Sequence, residues 1–232
     1  MSAFELNVSR MEYDLRDRGR KRYDAYWEGN HRPVFPPALF DSDVPVWLEI
    51  GAGSGWFFVS LAELHPSHRL LAVERCRMRA KRLVRRAKRS GLPNLFAFRG
   101  NAIPAVIHQI PERRLDRIYI LYPCPWVRMS QRKNRWYLHP MMPHLVRCLR
   151  PGGHLIWASD QRFYIEEAKY VSERHYGLTT RACGELKPNP YNSLDLFPQG
   201  RTKFEHSFLS SGVPCYELVS EAPIHQSDAP RG

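Results

Sequence analysis

Val46 to His65 read VWLEIGAGSGWFFVSLAELH. A short apolar run, VWLEI, breaks into a turn carrying Gly51, Gly53 and Gly55. The residues after the turn return to helical spacing. The run predicts a buried strand, and the glycines supply positive φ and let a ligand approach the backbone closely. The same order then repeats. RLLAV predicts a second strand ending at Glu74, and ERCRMRAKRLVRRAKRS a helix with Cys76, Ala80, Leu83, Val84 and Ala87 on one face. GLPN closes that helix. LFAFRG predicts the third strand, AIPAVIHQI a short helix, LDRIYILY the fourth strand, NRWYLHPMMPHLVRCLR a broken helical stretch, HLIWAS the fifth strand and QRFYIEEAKYVSERH a helix. From about residue 177 to 222 the pattern predicts a strand at LTTRA, a polar proline-rich loop and a last strand near CYELVS. Alternating strands and helices predict an α/β fold, a doubly wound, mostly parallel seven-stranded sheet in a single domain.

The chain has 232 residues, 43% of them apolar, which suits one domain with a full core. The formal net charge of +12 favours polyanions, nucleic acid first among them. Residues 1–42 are polar and basic and are expected to form an arm, 43–222 the domain, and 223–232 a flexible tail. Cysteines at 76, 124, 148, 183 and 215 show no paired spacing. They predict neither a disulfide framework nor a zinc site, and they fit the cytoplasm. No metal is expected. No stretch approaches the roughly 20 apolar residues that a membrane span needs.

Ligands of such sheets sit beyond the carboxyl ends of the strands. Gly51 to Gly55, Glu74, Asn101, Cys124 and Asp160 all fall there. Glu49 lies two residues before the first glycine. Glu74 follows about twenty residues on, where a carboxylate can accept both hydroxyls of a ribose. A dinucleotide cofactor uses a similar turn, but no constellation for hydride transfer is visible downstream.

These motifs resemble the class I S-adenosylmethionine-dependent methyltransferases, and within them the tRNA (guanine-N7-)-methyltransferases. LEIGAGSG resembles that family's E-I-G-x-G-x-G turn, AVER its G-I-E strand end, and RGNA its D-A. YPCPWVRMSQRKNRW resembles F-P-D-P-W with a basic run, ASDQRFY resembles T-D-x-x-x-Y, and RTKFE contains T-K-F-E. The resemblance implies S-adenosylmethionine as donor and a variable-loop guanine of tRNA as acceptor. It implies cofactor contacts at Glu49, Gly51, Gly53, Glu74, Asn101 and Ala102. It implies catalytic positions at Cys124 and Asp160, and substrate contacts at Arg128, Asp160, Thr202, Lys203 and Glu205. A monomer or a homodimer is compatible with it, and a partner subunit is left open.

Two positions depart from the family pattern. Asn101 replaces an Asp, and an amide still hydrogen-bonds adenine. Cys124 replaces the Asp of P-D-P-W, and a thiol is a poor acceptor. Pro123-Cys124 also matches the dipeptide of cytosine-C5 methyltransferases, whose thiolate attacks the ring. A second enzyme reading is therefore methylation of another RNA base, and a third is an RNA-binding relative without turnover. Trp126 is a candidate for stacking on a base. Arg128, Arg132, Lys133 and Arg135, interleaved with Trp136 and Tyr137, suit an RNA surface. The basic residues of the ERCRMRAKRLVRRAKRS helix lie off its apolar face and on their own read as a solvated surface.

Overall fold

The computed structural model describes residues 33–224. The expected arm at 1–32 and the tail from 225 lie outside the described residues. β1 (Val46–Ile50) is buried along its whole length. Val46, Leu48 and Ile50 face one core layer and Trp47 faces the other, the alternation of a strand covered on both sides. The chain continues through α1 (Trp56–Leu64), β2 (Arg69–Glu74), α2 (Arg77–Ser90), β3 (Leu95–Arg99), α3 (Ala102–His108) and β4 (Leu115–Leu121). Two 3-10 turns (Met129–Asn134 and Trp136–Leu138) precede α4 (Met142–Cys148), β5 (Leu149–Ser159) and α5 (Arg162–Tyr176). β6 (Thr179–Glu185), α6 (Lys203–Ser210) and β7 (Tyr216–Glu221) complete the fold.

The seven strands lie in the order β3-β2-β1-β4-β5-β7-β6. β1 to β5 run parallel, and β7 is antiparallel to both β5 and β6. The mostly parallel, doubly wound sheet expected from the pattern is the one that forms. Chain order reverses between β1 and β4, and at such a switch point a crevice opens beyond the strand ends.

Three expectations need correcting. Residues 33–42, expected as the end of the arm, pack on the domain. Phe35 and Leu39 are buried, and the Phe35 ring meets Phe98 edge-on at 4.7 Å. Arg114 donates to the carbonyls of Phe40, Ser42 and Val44 and seals the segment to the sheet. Secondly, the polar loop after β6 contains α6. Thr202 caps it, its hydroxyl accepting from the Glu205 amide at 3.1 Å, so T-K-F-E is a helix start of the Thr-x-x-Glu kind. Thirdly, the apolar face of α2 is narrower than its period suggests. Ala80 and Leu83 are buried, but Cys76 and Val84 are exposed. The helix rests on the glycine turn. A Cβ on Gly55 (φ +77°) would lie 2.5 Å from Leu83 Cδ1, so only glycine admits both the left-handed backbone and this approach.

A buried charge cluster ties the last third of the fold to its centre. Arg201 Nη2 donates to Glu205 Oε1 at 2.7 Å and Nη1 donates to Glu217 Oε2 at 2.5 Å. All three residues are almost wholly buried. Glu217 belongs to β7 and Glu205 to α6. The Tyr122 hydroxyl, just past β4, donates to Glu205 at 2.8 Å. Arg201→Met leaves two carboxylates buried without their cation, a loss of roughly 3–5 kcal/mol. Thermal unfolding should show a melting temperature lower by roughly 10 °C. An unchanged midpoint would mean that the cluster does not hold the fold.

Candidate active site

A cavity of about 560 Å³ opens beyond the carboxyl ends of β1 to β4. Its floor and walls include Glu49, Gly51, Gly53, Glu74, Asn101 and Ala102. The structure thus gathers all six positions expected to meet a cofactor. Cys124, Thr202 and Lys203 line the same cavity. Arg128, Asp160 and Glu205 do not.

Glu49 is the last but one residue of β1 and faces the layer of Trp47 and Phe57. It is 3% exposed, and its Oε2 has no hydrogen-bond partner among the described residues. Burial, reinforced by the nearby Glu74 carboxylate and opposed by Arg201, pushes its pKa up to about 8. At neutral pH it is therefore a protonated acid. Glu74, at the end of β2, behaves differently. Its Oε2 accepts from the Gly53 amide at 2.9 Å and its Oε1 from the Cys76 amide at 2.6 Å. One backbone donor on each oxygen leaves lone pairs free for a diol. Gly51 and Gly53 have positive φ, and nothing lies within 4 Å of where a Cβ would stand, so their backbone faces open space. Asn101 caps α3, its Oδ1 accepting from the Ile103 amide at 3.2 Å. Its NH2 remains as the group to offer a ligand.

The YPCPW stretch leaves β4 through two residues in left-handed backbone, Tyr122 (φ +51°) and Trp126 (φ +46°). Such non-glycine conformations cost about 1–3 kcal/mol each and persist only where their surroundings enforce them. Two anchors do so. Tyr122 is tied to Glu205, and burial together with that carboxylate pushes its phenol far above the usual range, so it remains a donor. Arg135 is 1% exposed and donates to the Trp126 carbonyl at 3.1 Å and to Glu167 Oε2 at 2.6 Å. The Tyr137 hydroxyl also donates to Glu167 at 2.6 Å. Between these anchors the Cys124 thiol is exposed at the cavity wall.

Several expected roles change accordingly. Glu205 does not face a substrate. Its carboxylate is fully buried and accepts from the Arg201 side chain, the Arg201 amide and Tyr122. Burial disfavours its charge, but the Arg201 guanidinium outweighs this and holds it below the usual carboxylate range. Arg135 serves the interior, because its guanidinium is the loop's clamp and not an RNA contact. Trp136, not Trp126, lines the cavity. Asp160 follows β5 and is half-buried, its carboxylate accepting from Gln161 Nε2 at 2.5 Å. Arg128 is exposed ahead of the first 3-10 turn.

Tyr122, Trp56, Arg79, Arg82 and Arg201 also line the cavity and had not been singled out as site residues. Arg79 Nε approaches Glu74 Oε1 at 3.7 Å. The signal for Arg79 and Arg82 was the basic run directly after Glu74. Arg201 stands directly before T-K-F-E.

Comparison with known proteins gives the family and the fold. The sequence pattern of a family described as a putative methyltransferase matches residues 43–218. The chain is 32% identical to the tRNA (guanine-N(7)-)-methyltransferase of Saccharophagus degradans, over 81% of this chain and 80% of that protein. It is 29% identical to the enzyme of the same name from Paracidovorax citrulli, over 81% and 72%. Among solved structures, the 16S rRNA methyltransferase KamB superposes with a TM-score of 0.58 at 18% identity, covering 81% of this chain and 92% of that one. That likeness is one of fold. With a pattern spanning three quarters of its length and a relative matched over four fifths of both chains, the chain belongs to the tRNA (guanine-N7-)-methyltransferase family.

Proposed function

We propose that this chain transfers the methyl group of S-adenosylmethionine to guanine N7 in the variable loop of tRNA. One observation carries the proposal: a buried, unpartnered carboxyl (Glu49) and a ribose-suited carboxylate (Glu74) share one cavity with the exposed Cys124 thiol. When bound, the cofactor supplies an electrophilic methyl on a sulfonium. Glu49 is placed to receive the ammonium of the cofactor's amino-acid end. Glu74 accepts from the ribose hydroxyls, the open Cα positions of Gly51 and Gly53 leave room for the bound group, and Asn101 and Ala102 border the adenine. The Asn101 NH2 suits an adenine ring nitrogen.

Guanine N7 carries an in-plane lone pair and no proton. Its attack on the methyl needs no base, and the S–C bonding pair returns to sulfur as the N–C bond forms. The protein's contribution is then alignment and the electrostatics of a partly dry cavity. The anchored YPCPW loop sets the wall against which the base rests. Cys124 orients the base less firmly than a carboxylate, because a thiol accepts hydrogen bonds poorly from guanine N1 and N2. Lys203, Arg79, Arg82 and Arg128 meet phosphates. Asp160 flanks the loop from the end of β5. Five unpaired cysteines suit a cytoplasmic setting. Among the described residues, no helix is long and apolar enough to cross a membrane.

The direct assay incubates the protein with labelled S-adenosylmethionine and unmodified tRNA, then digests the RNA and identifies the nucleoside. N7-methylguanosine is the expected product. A product of 5-methylcytidine would establish the thiolate route instead, and cofactor binding without transfer would leave an RNA-binding relative. Cys124→Asp should raise turnover by about tenfold to a hundredfold, the worth of one recovered hydrogen bond. Loss of activity in that variant would show that the thiol takes part covalently.

The raised pKa of Glu49 gives a second prediction. Below about pH 8 the ligand-free protein holds a proton there. An incoming ammonium favours the ionised form, so cofactor uptake releases that proton. Affinity measured by calorimetry should rise with pH and level off above about 8. Glu49→Gln should bind more weakly and with a flat profile. The linkage to folding has the opposite sign. The folded pKa is above the unfolded one, so the contribution to stability of the ligand-free protein is full below about pH 4.5. It is lost as pH climbs toward 8.

A further inference from the structure

A second cavity of about 320 Å³ adjoins the first and shares Trp56, Arg201, Thr202 and Lys203 with it. Its remaining walls come from α1, from the loop before α6 and from His206. Its volume lies at the lower end of small-ligand clefts, which run roughly 300–1,000 Å³. Two aromatic rings, Trp56 and Phe197, stand beside the Lys203 ammonium, while the Arg201 guanidinium in the same wall is committed to Glu205 and Glu217. Among the described residues no Asp or Glu lines it.

Trp56 is the first residue of α1, yet it is 49% exposed, while Phe57 and Phe58 beside it are buried. The exposed indole is held in place. The Arg86 guanidinium lies over its ring at 3.9 Å from the centroid, and Arg86 Nε is itself anchored on the Ser54 carbonyl at 3.0 Å. The Lys203 ammonium is 5.7 Å from the same centroid. A solvent-facing ring packed against Arg86, with the Lys203 ammonium over it at a longer distance, offers stacking to a base that displaces the lysine and charge to its phosphate. Ordering costs are reduced because the ring is already immobilised.

We propose that this second cavity receives the nucleotide next to the methylated one in single-stranded RNA, with its base against the Trp56 indole and its phosphate at Lys203. The proposal rests on the RNA-methylating reading above. It adds a subsite: a polynucleotide whose target base enters the larger cavity must lead its neighbour along the shared wall into the smaller one. The subsite is tolerant of base identity, because stacking uses the face common to all bases.

The test measures binding of the full chain to unmodified tRNA and, separately, to S-adenosylhomocysteine. Trp56→Leu should weaken tRNA binding about tenfold, the typical effect of one lost stack. Trp56→Phe, which keeps a ring, should restore most of it. Ser60→Glu puts a negative charge on a residue that lines only the second cavity. It should weaken tRNA binding while leaving S-adenosylhomocysteine affinity unchanged. A transcript carrying 4-thiouridine beside the target nucleotide should photocrosslink to the peptide containing Trp56 or Lys203. The subsite is overturned if Trp56→Leu binds tRNA as tightly as the parent, if Trp56→Phe is as weak as Trp56→Leu, or if the crosslinks map elsewhere. Product analysis separates the two claims. Methylation of a base other than guanine, with Trp56→Leu still weak, keeps the subsite and removes the guanine assignment. N7-methylguanosine with a silent Trp56→Leu does the reverse.

Discussion

A single guanidinium, that of Arg201, holds the site side of this protein together. It lies between Glu205 on α6 and Glu217 on β7, and through Glu205 it reaches Tyr122 at the end of β4. Burying three charges is costly, and a buried ion pair is no general source of stability. What this one provides is placement. The loop before α6 packs Leu194 in a small apolar cluster and Phe197 on Phe57, and hydrogen bonds fix the rest, including those of Asn192 and Asn189 to Glu217 at 2.7 and 3.0 Å. Thr202 and Lys203 reach the cavity wall because Arg201, the preceding residue, cannot leave the interior.

The same economy of means governs the YPCPW loop. Its two left-handed residues would relax in isolation, and each is held through one polar contact to a buried carboxylate system. Tyr122 uses Glu205, and the Trp126 carbonyl uses Arg135, which leans on Glu167. Both anchors are charge-assisted hydrogen bonds in a region with little water, where they are stronger than at a surface. The exposed thiol between them stands on a rigid turn supported from two directions.

Much of the architecture was legible in the sequence because it is written in period. Runs such as RLLAV and DRIYILY can satisfy a sheet buried on both faces and little else, and the glycine turn marks where the first strand must stop. The cofactor positions followed from strand ends and the spacing of two carboxylates. Side-chain direction was not legible. Arg135 sits in a run of basic residues that looks uniformly solvated, and only the tertiary placement of Glu167, on α5, shows that it points inward. T-K-F-E was legible as a motif, but its glutamate looked like a ligand for substrate because its partner, Arg201, is adjacent in sequence and gives no periodic signal. The helix it starts carries no separate signal for the same reason: a Thr-x-x-Glu cap and a substrate motif read alike in sequence. Trp56 belongs with the apolar residues after the turn by composition, and nothing local separates it from Phe57 and Phe58, which are buried.

Gly55 has a reach beyond its own turn. Because a hydrogen occupies the place of a side chain there, Leu83 settles against the backbone and α2 lies close on the turn that follows β1. Arg79, Arg82 and Arg86 ride on that helix, which is seated on the turn through the Leu83 methyl. A single carbon at this position would push the Leu83 methyl out of its seat and strain the left-handed turn, loosening the support under the helix that carries these cations without touching any residue that meets a ligand.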